Sequence, residues 1–268
     1  MRRLPAVLSV VSAAVLAAGC SSAPSPTPDP GSSAPAVSSS AAPTSPVPSP
    51  TETPAPTSSK KHSEPLPDAS AILKESSATT AALDSAHLSL SASSGIENMA
   101  ITSLDGDVTR QPAEAAKGYA KIAYRGARAF VEFVVFDGDL YVSQDTGRWV
   151  DYGPAENFYD VASILSPETG LAGMLTDLID PQVEGRETIA LGADTVHAVR
   201  IAGQVSAGAA KKIVPQLQAT KRVSCTVWVE ETGAHHLVAL KLASGADQTV
   251  VITFSNWNAP VHVGKPRV

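Results

Sequence analysis

The sequence predicts an α+β fold, an antiparallel β-sheet of many strands with a few helices collected on one of its faces. Three observations lead there. After about residue 86 the apolar residues recur with period 2 rather than 3.6 over most of the chain. Neighbouring strand candidates are joined by short turns, which suits antiparallel pairing. Helical periodicity is confined to a few short stretches, too few to cover a large sheet on both faces.

The folded part begins near Pro67-Asp68, where Asp68 is placed to cap a helix. Ile72, Leu73, Ser76, Thr80 and Leu83 form its stripe, which ends near Asp84. Strands are expected at 87–94, 98–109, 118–125, 128–136 and 139–144, with a short edge at 148–151. Phe136-Asp137-Gly138-Asp139 reads as a tight hairpin, because Asp-Gly tolerates the positive φ of a type I′ turn. Helical segments at 158–165 and 169–179 follow, broken at Pro167. Strands at 184–191 and 194–203 lead to a helix at 206–214 that stops before Pro215. The last strands are 222–231, 236–243 and 248–255, separated by Thr232-Gly233 and Ser244-Gly245.

Aromatic residues make up only 5% of the chain, so the interior rests on Val, Ile, Leu and Ala. Alternation gives Val131, Phe133 and Val135 one face, as it does Leu140 and Val142, Val199 and Ile201, Val238, Leu240 and Leu242, and Val250, Ile252 and Phe254. Cys225 falls with Val223, Val227 and Val229, the pattern of a buried structural cysteine. The segment 169–179 is unusually apolar, with Leu171, Met174, Leu175, Leu178 and Ile179. A broad apolar face with sparse helical cover is compatible with a packed core and with a cavity, and the pattern alone does not choose.

At the other end, Arg2 and Arg3 precede an apolar run from Leu4 to Leu16, and Ala17-Ala18-Gly19 stand directly before Cys20. This is the form of a secretory signal, 1–19, whose cleavage after Gly19 leaves Cys20 as an N-terminal site for acylation. The run is too short to span a bilayer, so the expected state is a lipid-anchored protein on the cell membrane, facing the periplasm or cell wall. Residues 20–66, almost all Ser, Pro, Ala and Thr after Cys20, read as a disordered tether. A flexible coil of that length spans on the order of 40 Å. With Cys20 acylated, Cys225 has no partner and no disulfide framework is available. The domain proper is 67–268.

The net charge of −6, with no basic block beyond Lys60-Lys61, argues against nucleic acid as a partner. The sequence has no Gly-x-Ser-x-Gly elbow, His-Glu-x-x-His pattern, Gly-rich phosphate loop or Cys-x-x-Cys pair. No catalytic residue, metal site or cofactor is therefore expected, and the chain is read as a non-enzyme. His235-His236 is expected in a solvated turn with Glu230-Glu231, which would serve solubility. Asp105-Gly106-Asp107 is a fragment of a calcium loop without the remaining oxygen ligands, and is read as a turn.

The C-terminal half carries a resemblance. Val183-Glu184-Gly185-Arg186-Glu187-Thr188-Ile189 is followed by Asp194-Thr195-Val196-His197-Ala198-Val199-Arg200-Ile201-Ala202-Gly203. Then come Ala209-Ala210-Lys211-Lys212-Ile213-Val214-Pro215, Thr226-Val227-Trp228-Val229, His236-Leu237-Val238 and Ser255-Asn256-Trp257-Asn258-Ala259-Pro260-Val261. In order and spacing this series resembles the mycobacterial LppX/LprAFG lipoproteins, from about Pro67 to the C-terminus. The resemblance implies a half-barrel, a curved sheet with helices on its concave face enclosing an apolar cavity, related in shape to periplasmic lipoprotein carriers. It also implies a function: binding acylated envelope lipids or glycolipids and carrying them between inner membrane and outer envelope, as a monomer, with a lipid-exporting permease as a partner. The alternative is an envelope interaction module with a closed core. The expected cavity lining is Ile122, Tyr124, Val131, Phe133, Val135, Leu140 and Val142 from the sheet, with Ile164, Leu165, Leu171, Met174, Leu175 and Leu178 as a helical lid.

Overall fold

The computed structural model describes residues 65–97, 99–124, 127–144, 147–167, 169–192 and 194–268. The expected signal segment, Gly19, Cys20 and the tether as far as residue 64 lie outside the described residues. One helix, α1 (Ala69–Ala81), precedes six strands: β1 (Ser85–Ala92), β2 (Ile101–Thr109), β3 (Ala115–Tyr124), β4 (Ala127–Phe136), β5 (Asp139–Gln144) and β6 (Arg148–Pro154). Short 3-10 turns at Ala155–Asn157 and Ala162–Leu165 lead to α2 (Leu171–Thr176). The second half runs β7 (Ile179–Leu191), β8 (Asp194–Val205), α3 (Ala207–Ile213), a 3-10 turn Pro215–Leu217, then β9 (Val223–Glu230), β10 (Leu237–Gly245) and β11 (Gln248–Ser255).

All eleven strands form one open, curved antiparallel sheet in the order β6-β5-β4-β3-β2-β1-β11-β10-β9-β8-β7. Each half of the chain is a meander, and β1 pairs with β11 where the halves meet. The turn chemistry explains the close connections. Asp137 and Gly138 both take positive φ, 53° and 81°, as the type I′ hairpin between β4 and β5 requires. Gly106 and Gly118 face one another across β2 and β3, where an added Cβ on Gly118 would lie 2.6 Å from the Gly106 Cα. Only glycine permits backbones that close.

The apolar faces sit largely where alternation places them. Val223, Cys225, Val227 and Val229 are buried, as are Val250, Ile252 and Phe254. Val238 is fully buried as well, but not in the core cluster. A β-bulge between Leu237 and Ala239 puts Leu237, not Val238, in the core cluster with Leu240 and Leu242.

Several local expectations are corrected. The segment 158–165 forms only the 3-10 turn 162–165, and α2 is six residues long, ending at Thr176. Ile179 already pairs with Gln204, so β7 starts there and not at 184. Pairing along the whole length of β8 outweighs the helical spacing of Leu178 and Ile179. Asp105-Gly106-Asp107 is no turn: it lies inside β2, with both carboxylates facing His87. The histidine pair is half-buried. His236 stacks on Trp257 with ring centroids 4.5 Å apart, and Glu230 and Glu231 are engaged by His236 and Arg186.

After β11 the chain folds back across the strand ends. Asn258 N donates to the Ser85 carbonyl, Ser85 Oγ donates to the Ala259 carbonyl, and Lys265 Nζ lies 5.4 Å from the Tyr141 ring centroid. No helix among the described residues is long and apolar enough to cross a membrane.

Candidate functional site

The concave face and its cover form one continuous apolar interface. From the sheet come Val131, Phe133 and Val135 of β4, each at most 5% exposed. Leu88 and Leu90 of β1 and Leu104 and Val108 of β2 join them in the same cluster. Ile122, Leu140 and Val142 are partly buried and pack against this cluster. Tyr124 ends β3, and its side chain lies outside the described residues. From the cover come Ile164 and Leu165 of the 3-10 turn, Leu171, Met174 and Leu175 of α2, and Leu178 just beyond it, all buried in the same cluster. The structure thus brings together the described members of the expected lining, with Leu178 on the connection into β7.

Sequence spacing misses two parts of the cover. α1 lays Ile72 and Leu73 on the cluster; periodicity places this stripe on a helix without saying what it faces. α3 adds Ala209, Ala210 and Ile213, small and medium residues whose role no spacing announces.

The cover is short-sectioned, and beyond its apolar packing it is tied by a few polar contacts. α2 spans under two turns and has no side-chain cap at Gly170, so its helicity depends on packing. Ser77 Oγ of α1 donates to the Ala172 carbonyl of α2 at 2.8 Å. Thr79 Oγ1 donates to the Ala234 carbonyl at 2.6 Å, and His235 Nε2 lies 3.1 Å from Glu75 Oε2. At the α2–α3 seam a gap of about 30 Å3 is lined by Gly170, Gly173, Met174, Asp177, Ala209 and Lys212.

Polar groups inside it are few. Ser76 Oγ and Thr80 Oγ1, one turn apart on the buried side of α1, have no hydrogen-bond partner among the described residues, and neither has the Tyr159 hydroxyl. Burial pushes the Tyr159 hydroxyl well above its ordinary pKa, so it stays a neutral donor. A buried hydroxyl without a partner costs about 1–3 kcal/mol. Such groups, set in an apolar interface, offer hydrogen bonds to a guest. No group of three or more His, Cys, Asp or Glu that could hold a metal occurs among the described residues. The chemistry available is sequestration: an apolar surface under a helical cover, with a few unengaged hydroxyls.

A curved antiparallel sheet with one-sided helical cover and an apolar interface between them defines a class by its architecture, the half-barrel. The chain belongs to the LppX_LprAFG lipoprotein family, whose model matches residues 68–263. It is 41% identical over 212 residues to the lipoarabinomannan carrier protein LprG of Mycobacterium tuberculosis, covering 79% of this chain and 88% of that protein. The protein of the same name from Mycobacterium leprae is 41% identical over 213 residues. The crystal structure of LprF from Mycobacterium bovis superposes with a TM-score of 0.66 at 31% identity, covering 75% of this chain and 98% of LprF. That of Mycobacterium tuberculosis LppX superposes at 0.57 and 27% identity, covering 73% of this chain and 98% of LppX.

Proposed function

We propose that this chain is a lipid-binding lipoprotein of the cell envelope, anchored through acylated Cys20, that carries acylated lipids or glycolipids between the inner membrane and the outer envelope. The observation that carries the reading is the apolar concave face covered by three helices of 13, 6 and 7 residues that bury side chains against it. Acyl chains enter by displacing the cover, and each methylene removed from water contributes about 0.8 kcal/mol. The unengaged hydroxyls of Ser76, Thr80 and Tyr159 supply hydrogen bonds to ester or glycosidic oxygens near the chains. The glycan headgroup stays in solvent at the mouth. Relatives named as lipoarabinomannan carriers support a glycolipid as the cargo.

Ala172, 4% exposed on the buried side of α2, tests the reading. Ala172→Trp forces an indole into the closely packed cover, and is expected to abolish lipid retention while far-UV circular dichroism still reports the sheet. A folded variant with unchanged lipid content removes α2 from the site. The burial of the residues along this interface also suits a second reading, a closed-core module that engages a permease or a cell-wall enzyme. That reading expects no lipid transfer between vesicles by the parent protein, whereas the carrier reading requires it.

A further inference from the structure

The outer face of the sheet bears a feature that a concave lipid site does not need. β2, β3 and β4 turn Asp105, Tyr119, Lys121 and Phe130 away from the core, opposite to Leu104, Ala120 and Val131. Tyr119 and Phe130 are 50% and 55% exposed, and their rings stack with centroids 5.5 Å apart and planes 8° from parallel. Single exposed apolar residues are ordinary. Here the pair borders a groove of about 380 Å3, whose polar walls are Ser89, Ser103, Asp105 and Lys121.

The groove is prepared for hydrogen bonding. Ser89 Oγ donates to Asp105 Oδ2 at 2.5 Å, and His87 Nε2 lies 3.4 Å from the same oxygen. Asp107 Oδ1, 2.8 Å from His87 Nδ1, fixes the imidazole in turn. This network explains why two aspartates sit inside a strand, and it holds the Asp105 carboxylate in one orientation. Lys121 Nζ and Ser103 Oγ have no partner among the described residues.

We propose that this groove binds a neutral polysaccharide of the surrounding envelope. Sugar rings lie with their C–H faces on Tyr119 and Phe130, whose ring faces are electron-rich. Their hydroxyls donate to Asp105 and accept from Lys121 and Ser103. A fixed acceptor and a free cationic donor in one groove match a ligand whose every hydroxyl does both. An anionic surface would instead meet Asp105 and, across from Tyr119, Glu132. A lipid held in the concave interior presents its headgroup at the mouth, and this groove lies on the opposite face of the sheet, so the ligand is a separate glycan. The site therefore stands or falls independently of the lipid-carrier reading.

Affinity electrophoresis of the full chain through gels containing soluble arabinogalactan or α-mannan tests this. Retardation by at least one polysaccharide is expected, with apparent affinity reduced about tenfold in Phe130→Ala and in Tyr119→Ala. Phe158→Ala, which removes an exposed aromatic outside the groove, is expected to leave retardation unchanged. Should either alanine variant lose its circular dichroism signature, Phe130→Leu decides, because it keeps the apolar bulk and removes the ring. Retardation by neither polysaccharide, or equal retardation of parent and ring-less variants, overturns the proposal. So does sugar-free phosphatidylglycerol vesicle binding that the same variants abolish, which assigns the groove to a membrane.

Discussion

At the scale of single residues, glycine and cysteine show how tightly the sheet is built. Gly118 faces the Asp105 carbonyl so closely that an added Cβ would sit 2.2 Å from its oxygen. Gly118→Ala forces β2 and β3 apart and is expected to cost about 1–3 kcal/mol, as overpacking does, read as a fall in the denaturant midpoint. Cys225 is 1% exposed, and burial pushes its thiol from 9.0 up to about 12. The native thiol is therefore expected to resist Ellman's reagent at pH 8 in a Cys20→Ser variant and to react once the chain is unfolded. Because the folded chain raises this pKa, the contribution of the neutral thiol is complete below about pH 9 and is lost as pH rises toward 12. Chemical denaturation at pH 8 and at pH 10.5 checks this, since the loss of stability between them is expected to be smaller in Cys225→Ala.

At the scale of elements, the sheet and its cover differ in what holds them. β9, β10 and β11 are paired on both sides and bury Val227, Val229, Leu240, Leu242, Ile252 and Phe254. α1, α2 and α3 rest on that surface through side chains and a few polar ties. Local opening should therefore begin in the cover. Hydrogen exchange is expected to be faster in 69–81 and 171–176 than in 248–255, and to slow there on lipid loading; protection of the cover equal to that of β11 contradicts it. Ser77→Ala removes the bond to the Ala172 carbonyl, and is expected to speed lipid exchange without lowering sheet protection. Leu175→Ala, at a position 1% exposed, is expected to cost about 2–5 kcal/mol.

At the scale of the whole molecule, strands with uninterrupted alternation are legible in the amino-acid sequence. β4, β9 and β11 bury the residues their spacing nominates, because a period of 2 in a one-sided sheet leaves no other register. Alternation misplaces Val238 because a bulge shifts the period by one without any mark in composition. Spacing makes α2 too long because strand pairing takes Ile179, a tertiary demand that local periodicity does not carry. The lid residues follow from the family resemblance, while the outer-face pair of Tyr119 and Phe130 has no sequence signal, since diagonal neighbours exist only once register is fixed. Whether the apolar interface holds acyl chains is tested most directly by native mass spectrometry of the full chain from a mycobacterial host, before and after organic extraction. A stoichiometric mass beyond the polypeptide and its covalent anchor is predicted, lost on extraction and identifiable as an acylated lipid. A chain that shows only the polypeptide and anchor, where an LprG relative keeps its lipid under the same conditions, contradicts it.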